Sequence, residues 1–475
     1  MGHHFVQRTD LPVSAEVAFD WHERPGAFER LTPPWEPVTV LERSGGIRDG
    51  ARVLLRTGRG LLAARWDIEH RDYVAGRQFR DVLRAGPFAR WEHTHRFTPT
   101  AGAGCVLEDE IEYELPLGPL GRLAAGHVRH RLQRMFRYRH DTTAADLALH
   151  QGRADRPRLT VAVTGASGLI GRTLCALLST GGHRVIRLVR SAPRGPDEAR
   201  WDPARGLPDP SALAGVAAVI HLAGENIASG RWTAARLDRI RRSRVEGTRT
   251  LLTALRGLPQ PPHTILCASA VGFYGHRGDE ELTEHSPRGT GTLAETCEAW
   301  ESAAASSAPP AARLVMLRFG VVLSPAGGML RSLLPVFRLG LGGRVGTGRQ
   351  YLSWISIDDA AGAAVHALLD ERVRGPVNVV APAAVSNAAL ARTLGRVLGP
   401  GADVGEARIR GELGAADRPA QVGPVAVGLE EAQREEAPVG TAVVGRERIR
   451  RQHPLPGLGQ PGRSIGALQG GQHVG

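Results

Sequence analysis

The chain contains no lysine: all 60 of its basic positions among 475 residues are arginine. A catalytic lysine is therefore excluded outright. The formal charge of +12 reflects a biased coding composition before it reflects polyanion binding, because the arginines are spread along the whole length. No nucleic-acid partner is expected. The four cysteines, Cys105, Cys175, Cys267 and Cys297, lie far apart and form no Cys-x-x-Cys pair, so neither a disulfide framework nor a metal centre is indicated. Long apolar runs are missing too. None approaches the roughly 18 to 20 residues that span a bilayer, and residues 1–10 carry no apolar signal core, so no membrane partner and a cytoplasmic location are expected. With 42% hydrophobic and 23% charged residues the chain can build globular cores. At roughly 150 residues per domain its length allows two or three.

What is present is organised around residues 159–171, Leu-Thr-Val-Ala-Val-Thr-Gly-Ala-Ser-Gly-Leu-Ile-Gly. A β-branched apolar run ends in three glycines, and Leu174, Leu177 and Leu178 follow at helical spacing, which reads as strand, tight turn, helix. This is a dinucleotide-binding opening. Gly165 permits the turn, Gly168 lets backbone approach a pyrophosphate, and Gly171 lets the helix pack closely, while Ala166, Ser167, Leu169 and Ile170 complete the loop. A second strand, Val185 to Val189, ends at Arg190, nineteen positions beyond Gly171. An acidic residue there would bind a ribose 2′-hydroxyl, whereas arginine suits a 2′-phosphate, so NADP(H) is favoured over NAD(H).

Upstream, residues 1–145 read as a separate domain of short alternating segments. In the clearest, Cys105, Leu107, Ile111, Tyr113 and Leu115 share one face and Glu108, Glu110, Glu112 and Glu114 the other, the pattern of an antiparallel strand wet on one side. A helix follows, with Leu120, Leu123, Val128, Leu132 and Phe136 as its apolar stripe. The order of a leading strand, short helices around Val17 to Arg30, an antiparallel sheet and a long final helix resembles the START-like, polyketide-cyclase type (SRPBCC) of helix-grip domain. The resemblance implies a hydrophobic ligand held between sheet and helix; the other reading is an interior filled by its own side chains. Residues 146–158 read as a polar linker.

Residues 159–399 alternate strands (Val216 to Leu222, Thr264 to Ser269, Arg313 to Phe319, Val377 to Val380) with helices (Thr233 to Arg256, Leu293 to Ser307, Asp358 to Leu369). The expected fold is α/β, a Rossmann-like doubly wound parallel sheet preceded by the α+β helix-grip domain. Residues 400–475 have no Phe, Trp or Tyr and no sustained period, and are expected to be a disordered tail.

Several strings in this second part are more specific: His221-Leu222-Ala223-Gly224-Glu225-Asn226-Ile227 with Arg231-Trp232, Ser243-Arg244, Ser269-Ala270-Val271-Gly272-Phe273-Tyr274-Gly275, Leu317-Arg318-Phe319-Gly320, Gly346-x-Gly348-x-Gln350, and Trp354-Ile355-x-Ile357-Asp358-Asp359. In this order they resemble the YfcH-like epimerase family, an atypical branch of the extended short-chain dehydrogenases/reductases. The resemblance implies a Rossmann domain that binds NADP(H) and a smaller part over the substrate cleft. Leu222, Ala223 and Gly224 then join the cofactor edge, and Glu225, Arg231, Arg318, Gln350 and Trp354 become candidates for substrate contact.

Ordinary extended dehydrogenases use a serine and a Tyr-x-x-x-Lys pair. Here the serine position falls on Ala270, and Leu293 and Cys297 stand where tyrosine and lysine would. Tyr274 is the expected proton donor with Ser269 beside it; Cys297 is the alternative thiol. Two functions follow. The first is an oxidoreductase or nucleotide-sugar-epimerase-like protein acting on a small molecule; the alternative is a non-catalytic NADP(H) sensor coupled to the helix-grip domain.

Overall fold

The computed structural model describes residues 2–398 except 61–62, 117, 204–209 and 228–229; the expected tail at 400–475 lies outside the described residues. Period-two alternation builds the first layer. Strands β1 (His3–Leu11), β2 (Val38–Arg43), β3 (Arg52–Thr57), β4 (Ala64–Val74), β5 (Gln78–Ala85), β6 (Arg90–Pro99) and β7 (Cys105–Glu114) form an antiparallel sheet in the order β1-β7-β6-β5-β4-β3-β2. Helices α1 (Ala15–Glu23) and α2 (Ala27–Leu31) sit between β1 and β2, and α3 (Ala125–Gln151) follows the sheet. Ser14 caps α1 by accepting from the Val17 N–H.

Two apolar clusters fill the space between sheet and helices. One joins Phe19, Trp21, Phe79, Phe97 and Leu107 to Leu147, and the other joins Phe5, Trp91, Ile111 and Tyr113 to Leu132 and Phe136 of α3. Side chains of the domain itself thus occupy much of the interior. α3 also runs through the first six residues of the expected linker, to Gln151. Ala144, Ala145 and Ala148 favour helix, and Asp146 and Leu147 are buried, so this stretch is a structural element and not a connector.

The second layer system is parallel. β8 (Thr160–Thr164), β9 (Arg184–Val189), β10 (Glu198–Arg200), β11 (Ala218–His221), β12 (Thr264–Ala270) and β13 (Arg313–Phe319) combine with β17 (Gly375–Val379) in the order β10-β9-β8-β11-β12-β13-β17. Helices α4 (Leu169–Thr180), α5 (Ala234–Arg256), α6 (Thr292–Ser307) and α8 (Ile357–Leu369) connect and cover these strands. The chain turns from β9 on one side of β8 to β11 on the other, which creates the switch-point crevice where such sheets bind ligands. A smaller part consists of β14 (Val321–Leu323), α7 (Gly328–Arg338), β15 (Tyr351–Leu352), β16 (Trp354–Ser356), β18 (Val385–Ser386) and α9 (Asn387–Leu398) around its own apolar cluster. Sequence periodicity missed most of this part because its strands are only two or three residues long. No helix among the described residues is long and apolar enough to cross a membrane.

The two domains meet through α2 and α4. Gly26 has φ +96°, and a Cβ there would fall 2.6 Å from the Ala176 carbonyl oxygen. Arg30, only 5% exposed, sends Nε and Nη2 to Asp146 at 2.8 Å each and Nη1 to Asp358 at 2.7 Å. One buried cation therefore ties α3 of the first domain to α8 of the second. Removing it takes the bidentate cation from the buried Asp146 carboxylate, so Arg30→Ala is expected to lower stability by about 3 to 5 kcal/mol. Chemical denaturation of the full chain at pH 7 measures this, and a loss below about 1 kcal/mol refutes the assignment.

Candidate active site

β8 delivers the backbone into a turn that only glycine fits. Gly165 has φ +68°, and a Cβ would lie 2.8 Å from the Leu222 carbonyl carbon and 2.9 Å from the Ala223 nitrogen. At Gly171 a Cβ would fall 2.2 Å from the Gly165 oxygen, so the first turn of α4 rests directly on the loop. Gly168 precedes α4 without a side-chain cap, and the opening N–H groups of the helix are left for an anion. Ser167 and Gly168 are exposed, Leu169 and Ile170 half-buried and Ala166 buried. This cradle fits a dinucleotide pyrophosphate, and its close approaches exclude a side chain at two of the three glycines.

A buried polar chain holds the opposite wall. The Thr164 hydroxyl accepts from the N–H groups of Leu222 (3.2 Å) and Ala223 (3.1 Å) and donates to His221 Nδ1 at 2.7 Å. His221 must then carry its proton on Nε2, which donates to Thr248 Oγ1 at 2.9 Å; the Trp300 indole N–H donates to the same oxygen at 2.8 Å. Burial pulls the His221 pKa down to about 4, so the ring is neutral at pH 7. Beyond it, Glu225 receives a hydrogen bond from Arg244 Nη1 on its backbone oxygen (3.0 Å) and donates its N–H to Ser243 (3.0 Å). The Glu225 carboxylate faces Arg239 at 3.5 Å. The Arg244 guanidinium lies over the Trp300 ring beside Gly224.

At the ends of β12 and β13 the structure brings together Ser269, Tyr274 and Arg318, and joins them to Glu301 and Asn378. Ser269 donates to Glu301 Oε1 at 2.6 Å, and Arg318 grips the same carboxylate through Nε (2.9 Å) and Nη2 (2.8 Å). Arg318 Nη1 donates to the Tyr274 hydroxyl at 2.9 Å, and that hydroxyl donates to Asn378 Oδ1 at 2.7 Å. The guanidinium also lies 3.7 Å from the centre of the Phe273 ring. Burial opposes the charge of Arg318, but its bonds with Glu301 and Tyr274 prevail and raise its pKa. Burial is also the largest influence on Tyr274 and pushes the phenol up against the pull of Arg318. Cys297, packed on α6, has its thiol pushed up to about 11 by burial, which leaves almost no thiolate at pH 7.

The other candidates are dispersed. Arg190 is exposed at the end of β9, and Arg231 is exposed in the loop before α5. Gln350 is turned into its own loop, donating to the Val345 oxygen at 2.9 Å. Trp354 is buried in the small cluster with its indole N–H on the Ala383 oxygen at 3.0 Å, an arrangement that serves packing. Glu301, Asn378 and Thr248 escaped sequence reasoning. Glu301 had a visible signal, since it shares the buried face of α6 with Ala294, Cys297 and Ala304 and is a carboxylate on an otherwise apolar stripe.

Fold and cradle together define a two-domain protein with an NAD(P)-binding Rossmann unit of the extended short-chain dehydrogenase/reductase class. The model of the NAD dependent epimerase/dehydratase family matches residues 161–380, and that of polyketide cyclase/dehydrase and lipid transport proteins matches residues 11–138. Epimerase family protein Mb2239 of Mycobacterium bovis is 45% identical over 238 residues, which cover 50% of this chain and 78% of that one. Epimerase family protein SDR39U1 of Homo sapiens is 39% identical over 244 residues, covering 50% and 80%. The crystal structure of a nucleoside-diphosphate sugar epimerase from Corynebacterium glutamicum is 35% identical with a TM-score of 0.70 and covers 83% of each chain, more than either domain alone supplies. The chain belongs to this epimerase family, with a polyketide cyclase/dehydrase (SRPBCC) domain joined to its amino-terminal side.

The neutral His221 predicts an acid-sensitive site wall. Its folded pKa lies below its unfolded value near 6.5, so the unfolded state binds more protons between these values and stability falls as pH drops from 6.5 to 4. The expected loss is about 3 kcal/mol, from a depression of roughly 2.5 units. Denaturation curves of wild type and His221→Asn across that window are expected to show a shallower acid limb in the variant; equal slopes refute the assignment.

Proposed function

We propose that the Rossmann unit binds NADP(H) in preference to NAD(H) and acts as an oxidoreductase or epimerase on a small molecule bearing an oxidisable carbinol or a carbonyl. Bound in the cradle, the cofactor supplies or accepts hydride. The residues of the chain do the rest. Backbone from Gly165 to Gly171 holds the pyrophosphate, Leu222 to Gly224 lie along the dinucleotide, and Arg190 meets the 2′-phosphate. Arg190 is exposed at the end of β9, and neither residue that follows it, Ser191 or Ala192, is an acid that would favour a free ribose.

The observation that carries the catalytic part is the Arg318 guanidinium hydrogen-bonded to the Tyr274 phenol, with Glu301 fixing the guanidinium from behind. Burial holds the pKa of the phenol up while the Arg318 cation pulls it toward phenolate, which suits Tyr274 to giving a proton to a substrate oxygen. To protonate a substrate oxygen, Tyr274 exchanges its bond to Asn378 for one to the substrate. Ser269 holds Glu301 in register, and Glu225 and Arg231 border the cleft. In the amino-terminal domain, the reading includes a hydrophobic ligand, which the match to polyketide cyclase/dehydrase and lipid transport proteins supports.

Two measurements test this. Fluorescence titration is expected to give at least tenfold tighter binding of NADPH than of NADH, a preference lost in Arg190→Asp; equal binding removes the NADP(H) assignment. Turnover measured over panels of carbonyl compounds and nucleotide sugars is expected to fall about 100-fold or more in Tyr274→Phe with NADPH affinity intact. Full activity in that variant removes Tyr274 from the chemistry, and binding without turnover on any panel removes the enzyme.

A further inference from the structure

The buried face of the amino-terminal sheet carries a polar band between its two apolar clusters. On β6 the sequence Trp91-x-His93-x-His95-x-Phe97 runs from one cluster to the other; on β5 Asp81 lies between Phe79 and Leu83, and on β7 Asp109 lies between Leu107 and Ile111. His70 on β4 and His140 on α3 close the band. His93, His95, Asp109 and His140 are all buried. The epimerase reaction uses none of these groups.

We propose that this domain holds a divalent transition-metal ion between His93 Nδ1, His95 Nε2 and a carboxylate oxygen of Asp81. The two ring nitrogens each lie 3.5 Å from Asp81 Oδ2, and the three ligand atoms fall within 4.8 Å of one another. Ligands at about 2.0 to 2.1 Å around a tetrahedral ion are separated by about 3.4 Å, so these spacings suit a metal and are too long for good hydrogen bonds.

The second carboxylate sets the His93 tautomer. Asp109 Oδ1 lies 2.9 Å from His93 Nε2 and 2.6 Å from His95 Nδ1. A carboxylate only accepts, so the hydrogen-bonded His93 Nε2 carries hydrogen, while His95 Nδ1 makes no aligned hydrogen bond. In a neutral His93 ring Nδ1 then holds a lone pair that faces Asp81, and His95 Nε2 lies at the same distance from that carboxylate. Three candidate ligand atoms thus converge on one gap between the strands. Without an ion, burial opposes charge on His95 but Asp109 and Asp81 raise its pKa to about 9, so the ion takes the place of one proton. A single metal ion satisfies all three donors at once. His70 Nδ1 lies 2.7 Å from the second oxygen of Asp81, and His140 Nε2 lies 2.7 Å from the second oxygen of Asp109. Carboxylates that hold ligating histidines by their far nitrogens are a regular feature of metal sites. Two imidazoles and one carboxylate suit Zn²⁺ or Fe²⁺ and leave coordination positions for an exogenous oxygen ligand.

The test uses the full chain stripped with a chelator. Titration with Zn²⁺ by calorimetry is expected to give one equivalent at micromolar affinity or better, and the Co²⁺ derivative is expected to show visible d–d bands with two hyperfine-shifted, exchangeable imidazole N–H resonances. His95→Gln and Asp81→Asn are each expected to weaken binding at least 100-fold, and Asp109→Asn, which touches no metal, 10- to 100-fold. Exchanging His3 and His4 for alanine is expected to change nothing. Absence of binding to folded wild-type chain overturns the proposal, as does binding that survives Asp81→Asn or disappears with His3 and His4. Should a core variant fail to fold, the two N–H resonances of the wild-type cobalt derivative decide alone, and their absence is equally fatal.

Discussion

Everything in the Rossmann half is referred to one steric fact: the backbone after β8 lies against the backbone after β11 with no room for a Cβ at Gly165. That contact brings the two strand ends flanking the switch point together. It also obliges α4 to begin on top of the turn, which leaves Gly171 the only residue type its position accepts. The Thr164 hydroxyl converts proximity into a defined geometry, because one oxygen accepts from two successive N–H groups across the gap and orients a neutral histidine behind them. The cofactor cradle is thus a consequence of main-chain packing, held in place by the Thr164 side chain.

A different logic governs the far side of the cleft. Leu293 and Cys297 stand where the sequence pattern leads one to expect the tyrosine and lysine of ordinary relatives, and polar side chains are gathered on β12, β13 and α6. Glu301 is the hub, shared between Ser269 and the forked guanidinium of Arg318. A bidentate pair of this kind has one geometry, so it can hold Tyr274 in a fixed orientation where a flexible lysine would not. The cost of burying two charges is offset by leaving few of their hydrogen-bonding positions unmet.

Much of this was legible in the chain. Three glycines after a β-branched run, apolar strands separated by helical spacing, and the alternation of β7 located both sheets, since each reports a period that burial imposes. The small part around β14 to α9 left no such trace, because two-residue strands have no period and Pro335 sits inside α7. The hub residues were hidden for a subtler reason. Glu301, Asp109 and Asp81 each occupy a position that the pattern assigns to the core, and a pattern read for apolar residues passes over them. Read for exceptions, the same positions mark where charge was kept inside. Arg190 and Gln350 show the opposite limit: exposed side chains in loops have no neighbours that sequence order reveals.

The seam at Arg30 bears on how such a fusion can be inherited and handled. Its guanidinium is matched by one carboxylate from each half, and Gly26 is moulded to the carbonyl of Ala176. Cutting the chain near residue 155 would separate Asp358 from Arg30 and uncover Ala176 of α4, so neither fragment would be a faithful copy of its half. The two halves thus share a buried contact that neither would keep alone.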